Sequence, residues 1–392
     1  MFRRVILIVL DGVGVGALSD AADYGDATAA TLPHVATAVG GLSLPNLQHL
    51  GLGRIAAIDG VSPAASPLGC WGRMAERSPG KDSVTGHWEL AGVVLRHPFA
   101  TFPDGFPAEI IEAFTAATGL QPLGNIAASG TDILRLLGEQ HLQTGRPIVY
   151  TSSDSVFQIA AHESVIPPED LYVICRQAKA VLQSHNVCRV IARPFSGTSA
   201  ENFRRTAQRR DFSQSPPEKI LLERLSESGL PVYGVGKIKD LYAGRGLTGS
   251  VSSKHNSDGM VKTLAALEEI NAGLIMTNLI DFDMLYGHRR DAEGFAAALE
   301  AFDSWLPQLY ACMRSDDLLL ISADHGCDPT MPGTDHTREY VPLLAWSPSL
   351  ATGMELGLRS CFADVAATIA ENFSLSCENG KSFLSQLQVA ST

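Results

Sequence analysis

Val5-Ile6-Leu7-Ile8-Val9-Leu10-Asp11 is a run of six apolar residues that ends at a carboxylate. A short continuous run of this kind, rich in valine and isoleucine, predicts a strand that is buried on both faces, as in a parallel sheet. Two later runs share this form and also end close to carboxylates, at residues 273–280 and 318–322. A further apolar run at residues 341–346 predicts one more strand. These runs are expected to form the core of the fold.

Helical periodicity marks the segments that lie between and after these strands, at residues 261–270, 292–313 and 362–373. Alternating strands and helices are typical of a doubly wound sheet with helices on its faces. The predicted fold class is therefore α/β, with a doubly wound core sheet.

The middle of the chain has a different pattern, because proline and glycine breaks separate its elements. Helix-like segments at residues 108–118 and 169–184 precede a strand-like segment. We therefore predict an inserted α+β domain at residues 97–217, within a core domain made of residues 1–96 and 218–392.

The composition favours a large globular protein. Of the 392 residues, 45% are hydrophobic and 18% are charged, which suits a chain with large buried cores rather than a disordered one. The formal net charge of −12 argues against broad electrostatic attraction to nucleic acid or to an anionic membrane. Any anionic substrate must therefore meet a local positive site.

The cysteines and the length of the apolar runs favour a cytoplasmic protein. Seven cysteines are scattered without a C-x-x-C pair, which suits free thiols in a reducing compartment. No apolar stretch approaches the roughly 20 residues that span a bilayer. We expect a soluble cytoplasmic protein without a membrane partner.

Carboxylates follow each of the three leading strands. Asp11 follows the first, Asp281 and Asp283 follow the second, and Asp324 follows the third. Ligands of open α/β sheets bind at the carboxyl ends of the strands, so these acids are expected to gather in one crevice. The histidines that stand near them in the sequence are His288, His325 and His336.

Carboxylates gathered in this way repel one another unless cations favour their charged forms. Two divalent ions would resolve the conflict, and oxygen and nitrogen ligands without thiolate fit Mn²⁺, Zn²⁺ or Mg²⁺. Each residue has another interpretation, because an aspartate after a strand often caps a helix or begins a turn. The recurrence of histidine beside the same strand ends favours the metal site.

Thr85 stands in the segment Gly80-Lys81-Asp82-Ser83-Val84-Thr85-Gly86-His87-Trp88-Glu89. A threonine hydroxyl is a poor nucleophile at neutral pH and needs a metal ion or a base to activate it. Gly86 lets the backbone approach an anion, and a helix starting there would direct free N–H groups at phosphate. The alternative is that Thr85 only caps that helix.

Longer strings of residues resemble a known family. Asp11-Gly12-Val13-Gly14, the segment 283–288 and Asp324-His325-Gly326 resemble the alkaline phosphatase superfamily. The segments 80–89, 153–163 and 332–340 are similar to the bacterial phosphopentomutases within that superfamily. The resemblance covers nearly the whole chain and implies an alkaline-phosphatase-like core sheet with an inserted α+β cap domain.

The resemblance implies a phosphoryl-transfer site with two metal ions, most often Mn²⁺. One ion would be held by Asp283, His288 and His336, and the other by Asp11, Asp324 and His325. Thr85 would be the nucleophile that carries phosphate in the active enzyme. The substrate-binding residues that the resemblance implies are Asp154, Arg193, Arg209 and Lys237.

The implied reaction is the interconversion of ribose 1-phosphate and ribose 5-phosphate, and of the 2-deoxy sugars, through a bisphosphate intermediate. The partner is a small pentose phosphate, with a sugar bisphosphate as activator and no nucleic acid. A cap would protect the phosphothreonine from water. Competing hypotheses are a phosphatase or phosphodiesterase of the same superfamily, a cofactor-independent phosphoglycerate mutase, and a metal-binding protein without turnover.

Overall fold

The computed structural model describes residues 1–152, 155–350 and 352–387. The strands are β1 (Arg4–Leu10), β2 (Cys70–Met74), β3 (Leu123–Ala127), β4 (Ile148–Thr151), β5 (Val156–His162), β6 (Arg189–Ser196), β7 (Arg204–Arg205), β8 (Arg210–Ser213), β9 (Val232–Val235), β10 (Gly249–Val251), β11 (Gly273–Leu279), β12 (Asp317–Ser322), β13 (Val341–Trp346) and β14 (Glu355–Arg359). Across these ranges, no helix has both the length and the apolar character that crossing a membrane requires.

The α-helices are α1 (Thr31–Val39), α2 (Pro45–Leu50), α3 (Ser83–Leu90), α4 (Ala108–Thr118), α5 (Gly130–Thr144), α6 (Pro168–Leu182), α7 (Leu221–Glu227), α8 (Ile238–Leu241), α9 (Asn256–Glu269), α10 (Ala292–Cys312) and α11 (Ala363–Asn372). Short 3₁₀ turns lie at Ala21–Tyr24, Leu52–Arg54, Gln183–His185 and Leu384–Leu387. A π-helical turn, Phe282–Gly287, follows β11 closely.

The chain divides into two compact units. One unit consists of Met1–His97 and Pro216–Thr392, and the other of Pro98–Ser215. The sequence-based domain boundaries, at residues 97 and 217, lie beside these divisions.

The first unit contains an eight-stranded sheet in the order β10-β9-β11-β1-β12-β13-β2-β14. β1 lies between β11 and β12 and is parallel to both, with Leu10 opposite Leu279 and Val9 opposite Ser322. Every residue of these three strands is buried, which explains their continuous apolar sequences. The predicted α/β class is confirmed, and the carboxyl ends of the three strands lie side by side.

The sheet is mixed, because β13 runs antiparallel to β12 and also to β2. Leu319 of β12 lies opposite Trp346 of β13. An apolar run predicts a buried strand but not its direction, so the sequence left this point open.

The second unit has its own sheet, in the order β3-β4-β5-β6-β7, with β8 also paired to β6. Phe157 of β5 packs with Phe114 of α4 and Leu171 of α6 in one buried cluster. Tyr150 of β4 packs with Ile133 of α5 in another. Each cluster combines helix and strand residues, so this unit buries apolar cores of its own.

Candidate metal centre and nucleophile

Asp11, Asp324 and His325 meet at the carboxyl ends of β1 and β12. Their donor atoms all lie within 4.8 Å of one another, and all three side chains are buried. His325 Nε2 lies 3.4 Å from Asp11 Oδ1 and 3.5 Å from Asp324 Oδ2. The parallel pairing of β1 and β12 therefore brings together residues that are more than 300 positions apart in the sequence.

Asp283 brings two further histidines to this region. It lies in the π-helical turn after β11, and π-helical turns are common at functional sites. Its Oδ1 lies 3.3 Å from His288 Nε2 and 3.2 Å from His336 Nε2. The compact groups around it are Asp283 with His325 and His336, and Asp283 with His288 and Cys327.

The hydrogen bonds of two imidazoles determine which nitrogen is free to bind an ion. His288 Nδ1 lies 2.6 Å from the carbonyl oxygen of Thr334, and His325 Nδ1 lies 2.9 Å from that of Gly326. A carbonyl oxygen only accepts, so both Nδ1 atoms carry hydrogen. In the neutral rings the Nε2 lone pairs therefore face carboxylates, an arrangement that a shared cation stabilises.

The carboxylates and imidazoles shift one another's pKa values. Burial alone would raise the pKa of Asp283, but the positive charges of His336 and His288 lower it. Burial alone would lower the pKa of His325, but the carboxylates of Asp324 and Asp11 raise it well above its usual value. Burial alone would also raise the pKa of Asp11, but its hydrogen bond to His325 and the charges of Lys237 and His325 together lower it. Asp11 and Asp283 therefore keep their negative charge inside the protein.

Two buried carboxylate oxygens provide a test of whether these residues fit metal ions. Asp283 Oδ1 and Asp324 Oδ2 accept no hydrogen bond from the residues that the structure describes. Buried charged oxygens normally have hydrogen-bond partners or coordinate metals. The donor set of carboxylate oxygen and imidazole nitrogen therefore fits divalent ions.

Thr85 lies in the first turn of α3 and is fully buried. Its hydroxyl Oγ1 donates to Asp82 Oδ2 at 2.6 Å, and Asp82 Oδ1 accepts from the N–H groups of Val84 and Thr85. Asp82 is therefore the helix cap, and the capping interpretation of Thr85 is wrong. The expectation of free N–H groups from a helix beginning at Gly86 is also wrong, because the helix begins at Ser83 and Asp82 satisfies these donors.

Gly86 packs α3 directly against the end of β12. A Cβ atom added at this position would lie 2.0 Å from the carbonyl oxygen of Asp324. Ser83, in the same helical turn, has its Oγ 3.1 Å from His325 Nε2 and 3.5 Å from Asp11 Oδ1. The turn that carries Thr85 is thus in contact with the metal-binding side chains.

Some residues of the site carried no clear sequence signal. His87 Nδ1 lies 3.0 Å from Asp324 Oδ2, and Asn278 Nδ2 donates to Asp11 Oδ2 at 3.0 Å. Cys327 introduces a thiol into a site that was expected to contain only oxygen and nitrogen donors. His87 follows Thr85 by two positions in the same helix, but residues two apart in a helix face different sides, so this spacing did not indicate a shared site.

Asp281 belongs elsewhere, although it stands beside Asp283 in the sequence. Its Oδ2 accepts from the N–H of Asn256 at 2.7 Å, and its own N–H donates to Asn256 Oδ1 at 2.9 Å. Asp281 therefore does not cap the helical turn that follows it, but satisfies the first N–H group of α9, an earlier helix whose own cap is His255.

The four residues that the resemblance associated with substrate are distributed over both units. Lys237 is partly buried just before α8 in the first unit, where its charge helps to lower the pKa of Asp11. Arg193 and Arg209 belong to the second unit. Asp154 lies outside the described residues.

Within the second unit, Arg193 lies near two other arginines and one carboxylate, Asp211. Its Nε donates to Gln158 Oε1 at 2.9 Å. Burial lowers the pKa of its guanidinium, and the charges of Arg209 and Arg205 lower it further. Arg209 itself forms a two-point ion pair with Asp211, at 2.7 Å for both bonds.

Comparison with known proteins gives close relatives. The chain is 60% identical to a phosphopentomutase of Syntrophotalea carbinolica over 98% of each chain. It is 57% identical to one of Desulfitobacterium hafniense, over 98% of this chain and all of the relative. A phosphopentomutase of Caldanaerobacter subterraneus is 55% identical over 99% of this chain and 98% of its own. The chain belongs to the phosphopentomutase family. The family resemblance stated from the sequence is thereby confirmed.

Broader comparisons connect this member of the phosphopentomutase family with a wider superfamily. The model of the metalloenzyme superfamily matches residues 3–377. A structure of a Pyrococcus horikoshii protein has a TM-score of 0.50 at 15% identity, covering 97% of this chain and 100% of that one. A phosphoglycerate mutase from Leishmania mexicana also has a TM-score of 0.50, at 14% identity and 97% coverage of both chains. These two likenesses concern the fold alone.

Proposed function

We propose that this protein interconverts α-D-ribose 1-phosphate and D-ribose 5-phosphate, and the corresponding 2-deoxy sugars, in nucleoside and pentose phosphate salvage. Its class would be an isomerase that acts by intramolecular phosphotransfer. The full-length identity to phosphopentomutases supports the overall reaction. The observation that carries the proposal is the contact between the first turn of α3 and the buried ligand residues that follow β1 and β12.

The site would hold two divalent ions, which we propose to be Mn²⁺. Asp283, His288 and His336 would hold one ion, and Asp11, Asp324 and His325 the other. Bound ions of this kind polarise a phosphoryl oxygen and compensate charge on the entering and leaving oxygens. The buried carboxylate oxygens without donors support this assignment.

Thr85 would carry the phosphoryl group between the two sugar oxygens. Transfer from phosphorylated Thr85 breaks the bond between phosphorus and Oγ1 as a bond to a sugar hydroxyl oxygen forms, which gives a bisphosphate; the sugar hydroxyl loses one proton and Oγ1 gains one. After the bisphosphate reorients, Oγ1 takes the other phosphoryl group and releases the product. Asp82 Oδ2 accepts the Oγ1 hydrogen bond, so it is placed to return a proton to Oγ1 or remove one as each bond changes.

The phosphate that does not react needs an anchor of its own. We propose Arg193, Arg209 and Lys237 as phosphate-binding residues, since guanidinium and ammonium groups recognise phosphate oxygens. The burial of Arg193 beside the charges of Arg209 and Arg205 supports this role, because an anion would relieve their repulsion. Asp154 would accept hydrogen bonds from ribose hydroxyls.

Phosphorus NMR of the Mn²⁺-loaded protein with ribose 1-phosphate tests the proposed reaction. A mutase converts the substrate to ribose 5-phosphate without accumulating inorganic phosphate, and a trace of sugar bisphosphate shortens any lag by phosphorylating Thr85. The matched control substrate is 3-phosphoglycerate, which should remain unchanged. Release of inorganic phosphate as the main product would identify a hydrolase, and turnover of 3-phosphoglycerate would identify the other mutase.

A further inference from the structure

Cys327 is a buried thiol in the loop that follows β12, two residues after His325. Its Sγ, a carboxylate oxygen of Asp283 and a ring nitrogen of His288 all lie within 4.8 Å of one another. The function proposed above gives no role to this thiol. The side chain nevertheless lies close enough to share an ion with two of the proposed ligands.

Two glycines fix the position of this side chain. A Cβ atom at Gly287 would lie 2.4 Å from the Cys327 sulfur, and one at Gly12 would lie 2.9 Å from the Cys327 Cβ. Gly287 ends the π-helical turn that carries Asp283, and His288 follows it directly. The thiol is therefore packed against the backbone that orients both neighbouring donors.

A second observation points to a ligand at this position. Asp283 Oδ1 is buried and accepts no hydrogen bond from the residues that the structure describes, and the Asp283 side chain is only 7% exposed. His288 presents its Nε2 to the same oxygen, because its Nδ1 donates to a backbone carbonyl. A carboxylate oxygen, an imidazole nitrogen and a sulfur thus surround one point.

These three donors differ in the ions that they prefer. Carboxylate oxygen and imidazole nitrogen suit Mn²⁺, whereas thiolate sulfur favours soft ions and is a common ligand of Zn²⁺. We propose that Cys327 is a conditional ligand, which joins Asp283 and His288 around a thiophilic divalent ion such as Zn²⁺ or Cd²⁺ and stays uncoordinated when Mn²⁺ is bound. On coordination a bond forms between sulfur and the ion, the thiol proton passes to solvent, and one water leaves the ion.

The consequence is competition between two kinds of metal at one side of the site. A thiophilic ion held by Cys327 occupies Asp283 and His288, which the proposed function assigns to an Mn²⁺ ion. Such an ion would therefore exclude Mn²⁺ and inhibit the enzyme. This inference rests on the proposed metal site but not on the reaction, so spectroscopy of the metal complex tests it separately from turnover.

The experiment is a Cd²⁺ titration of the metal-free full-length protein, followed by ultraviolet absorbance. The natural protein should develop a sulfur-to-metal charge-transfer band, and Cys327→Ala should not. Cys312→Ala is the matched control, because Cys312 is an exposed thiol, and it should keep the band. In Cys327→Ala the Cd²⁺ dissociation constant should rise on the order of tenfold or more. The Mn²⁺ dissociation constant, from electron paramagnetic resonance, should stay within about threefold.

Several outcomes would overturn the proposal. One is the absence of the charge-transfer band in the natural protein, and another is a band that persists in Cys327→Ala. The third is an equal loss of Mn²⁺ and Cd²⁺ affinity in Cys327→Ala, which would show that Cys327 has a packing role. X-ray absorption of the Cd²⁺-loaded natural protein needs no variant and should show one sulfur in the coordination shell. A shell of oxygen and nitrogen alone would contradict the proposal, whatever the folding of the variants.

Discussion

At the scale of single residues, hydrogen bonds to backbone carbonyls prepare the imidazoles for an ion. His288 and His325 each donate from Nδ1 to a carbonyl oxygen, which leaves Nε2 beside a carboxylate. The same pattern, with the second ring nitrogen held by a carbonyl, is usual around metal-binding histidines. The site is thus preorganised by the loops after β11 and β12.

Replacement of Thr85 by alanine tests its role as nucleophile. Thr85→Ala removes the oxygen that would accept phosphate, so phosphoryl transfer should fall by about a thousandfold or more. The lost bond to Asp82 should lower the free energy of unfolding by about 1–3 kcal/mol. Steady-state assays of ribose 5-phosphate formation and thermal denaturation measure the two effects.

The matched control for this change is Thr85→Ser, which keeps a hydroxyl oxygen and should retain part of the activity. Mn²⁺ affinity should change little in both variants, because the ligand side chains stay in place. Full activity of Thr85→Ala would remove Thr85 from the mechanism.

Protons should compete with metal ions at His325. In the metal-free protein Asp324 and Asp11 raise the pKa of His325 despite its burial, so the ring keeps its proton to higher pH than usual. A metal ion must displace that proton, and its apparent affinity should therefore fall as the pH is lowered. The association constant for Mn²⁺ should change by about tenfold per pH unit where one proton is displaced.

Calorimetric titration with Mn²⁺ between about pH 6 and 8 measures this dependence. Thr85→Ala is a useful control, since it keeps all proposed ligands and should follow the same curve. An affinity that does not change over this range would show that His325 has no proton to lose.

The sequence could predict a ligand residue only where that residue closely follows a strand, because the end of the strand determines the residue's position in the fold. Asp11, Asp283 and Asp324 were expected together because they follow parallel strands, and the structure brings them together. Asp281 has the same local signal as Asp283 but faces Asn256, which depends on how α9 packs. Cys327 was overlooked because the approach of its sulfur to the π-helical turn is a tertiary contact.

At the scale of elements, the segment before α3 is held from two directions. Glu89, within the helix, accepts from the N–H groups of Arg77 and Ser78. Arg338, two residues after His336, donates to Glu76 Oε2 and to the carbonyl oxygens of Ser78 and Gly80. The loop that carries His336 is thereby bonded to the segment that leads to Thr85.

The close contact between α3 and β12 can be tested at Gly86. Alanine is favoured over glycine in helices by about 1 kcal/mol, so propensity alone would make Gly86→Ala stabilising. A Cβ at this position would lie 2.0 Å from a backbone carbonyl, which has no room to yield. The variant should therefore lose stability and most of its transfer activity.

Gly259→Ala is the matched control, because Gly259 lies in α9 and its added Cβ would approach no atom closer than 3.0 Å, a side-chain methyl of Leu279. Chemical denaturation and assays of both variants measure the difference. Equal stability and equal activity of the two variants would show that α3 is free to move away from β12.

The sequence predicted the existence of elements better than their ends and directions. The apolar runs gave β1, β11 and β12 because burial on both faces requires continuous apolar sequence. The apolar runs did not predict the start of α3, because its cap is Asp82, which accepts hydrogen bonds from the N–H groups of Val84 and Thr85. The direction of β13 depends on the path of the chain between strands.

At the scale of the whole molecule, all proposed metal ligands lie in the first unit, although they come from both of its chain segments. Asp11 comes from the first segment, and the others come from residues 283–336 of the second. The second unit contains apolar clusters of its own around Phe157 and Tyr150. Metal binding should therefore stabilise the two units unequally.

Hydrogen exchange with and without Mn²⁺ measures this difference. Mn²⁺ at about 100 times its dissociation constant adds about 2.7 kcal/mol to the stability of the state that binds it, which slows exchange from global opening by about a hundredfold. Amides of β1, β11 and β12 should show this slowing, and amides of β4, β5 and β6 should not. Asp324→Asn removes one proposed ligand and should abolish the effect in the first unit. Equal slowing in both units of the natural protein would show that they unfold as one, and no slowing in β1 would show that the ions bind elsewhere.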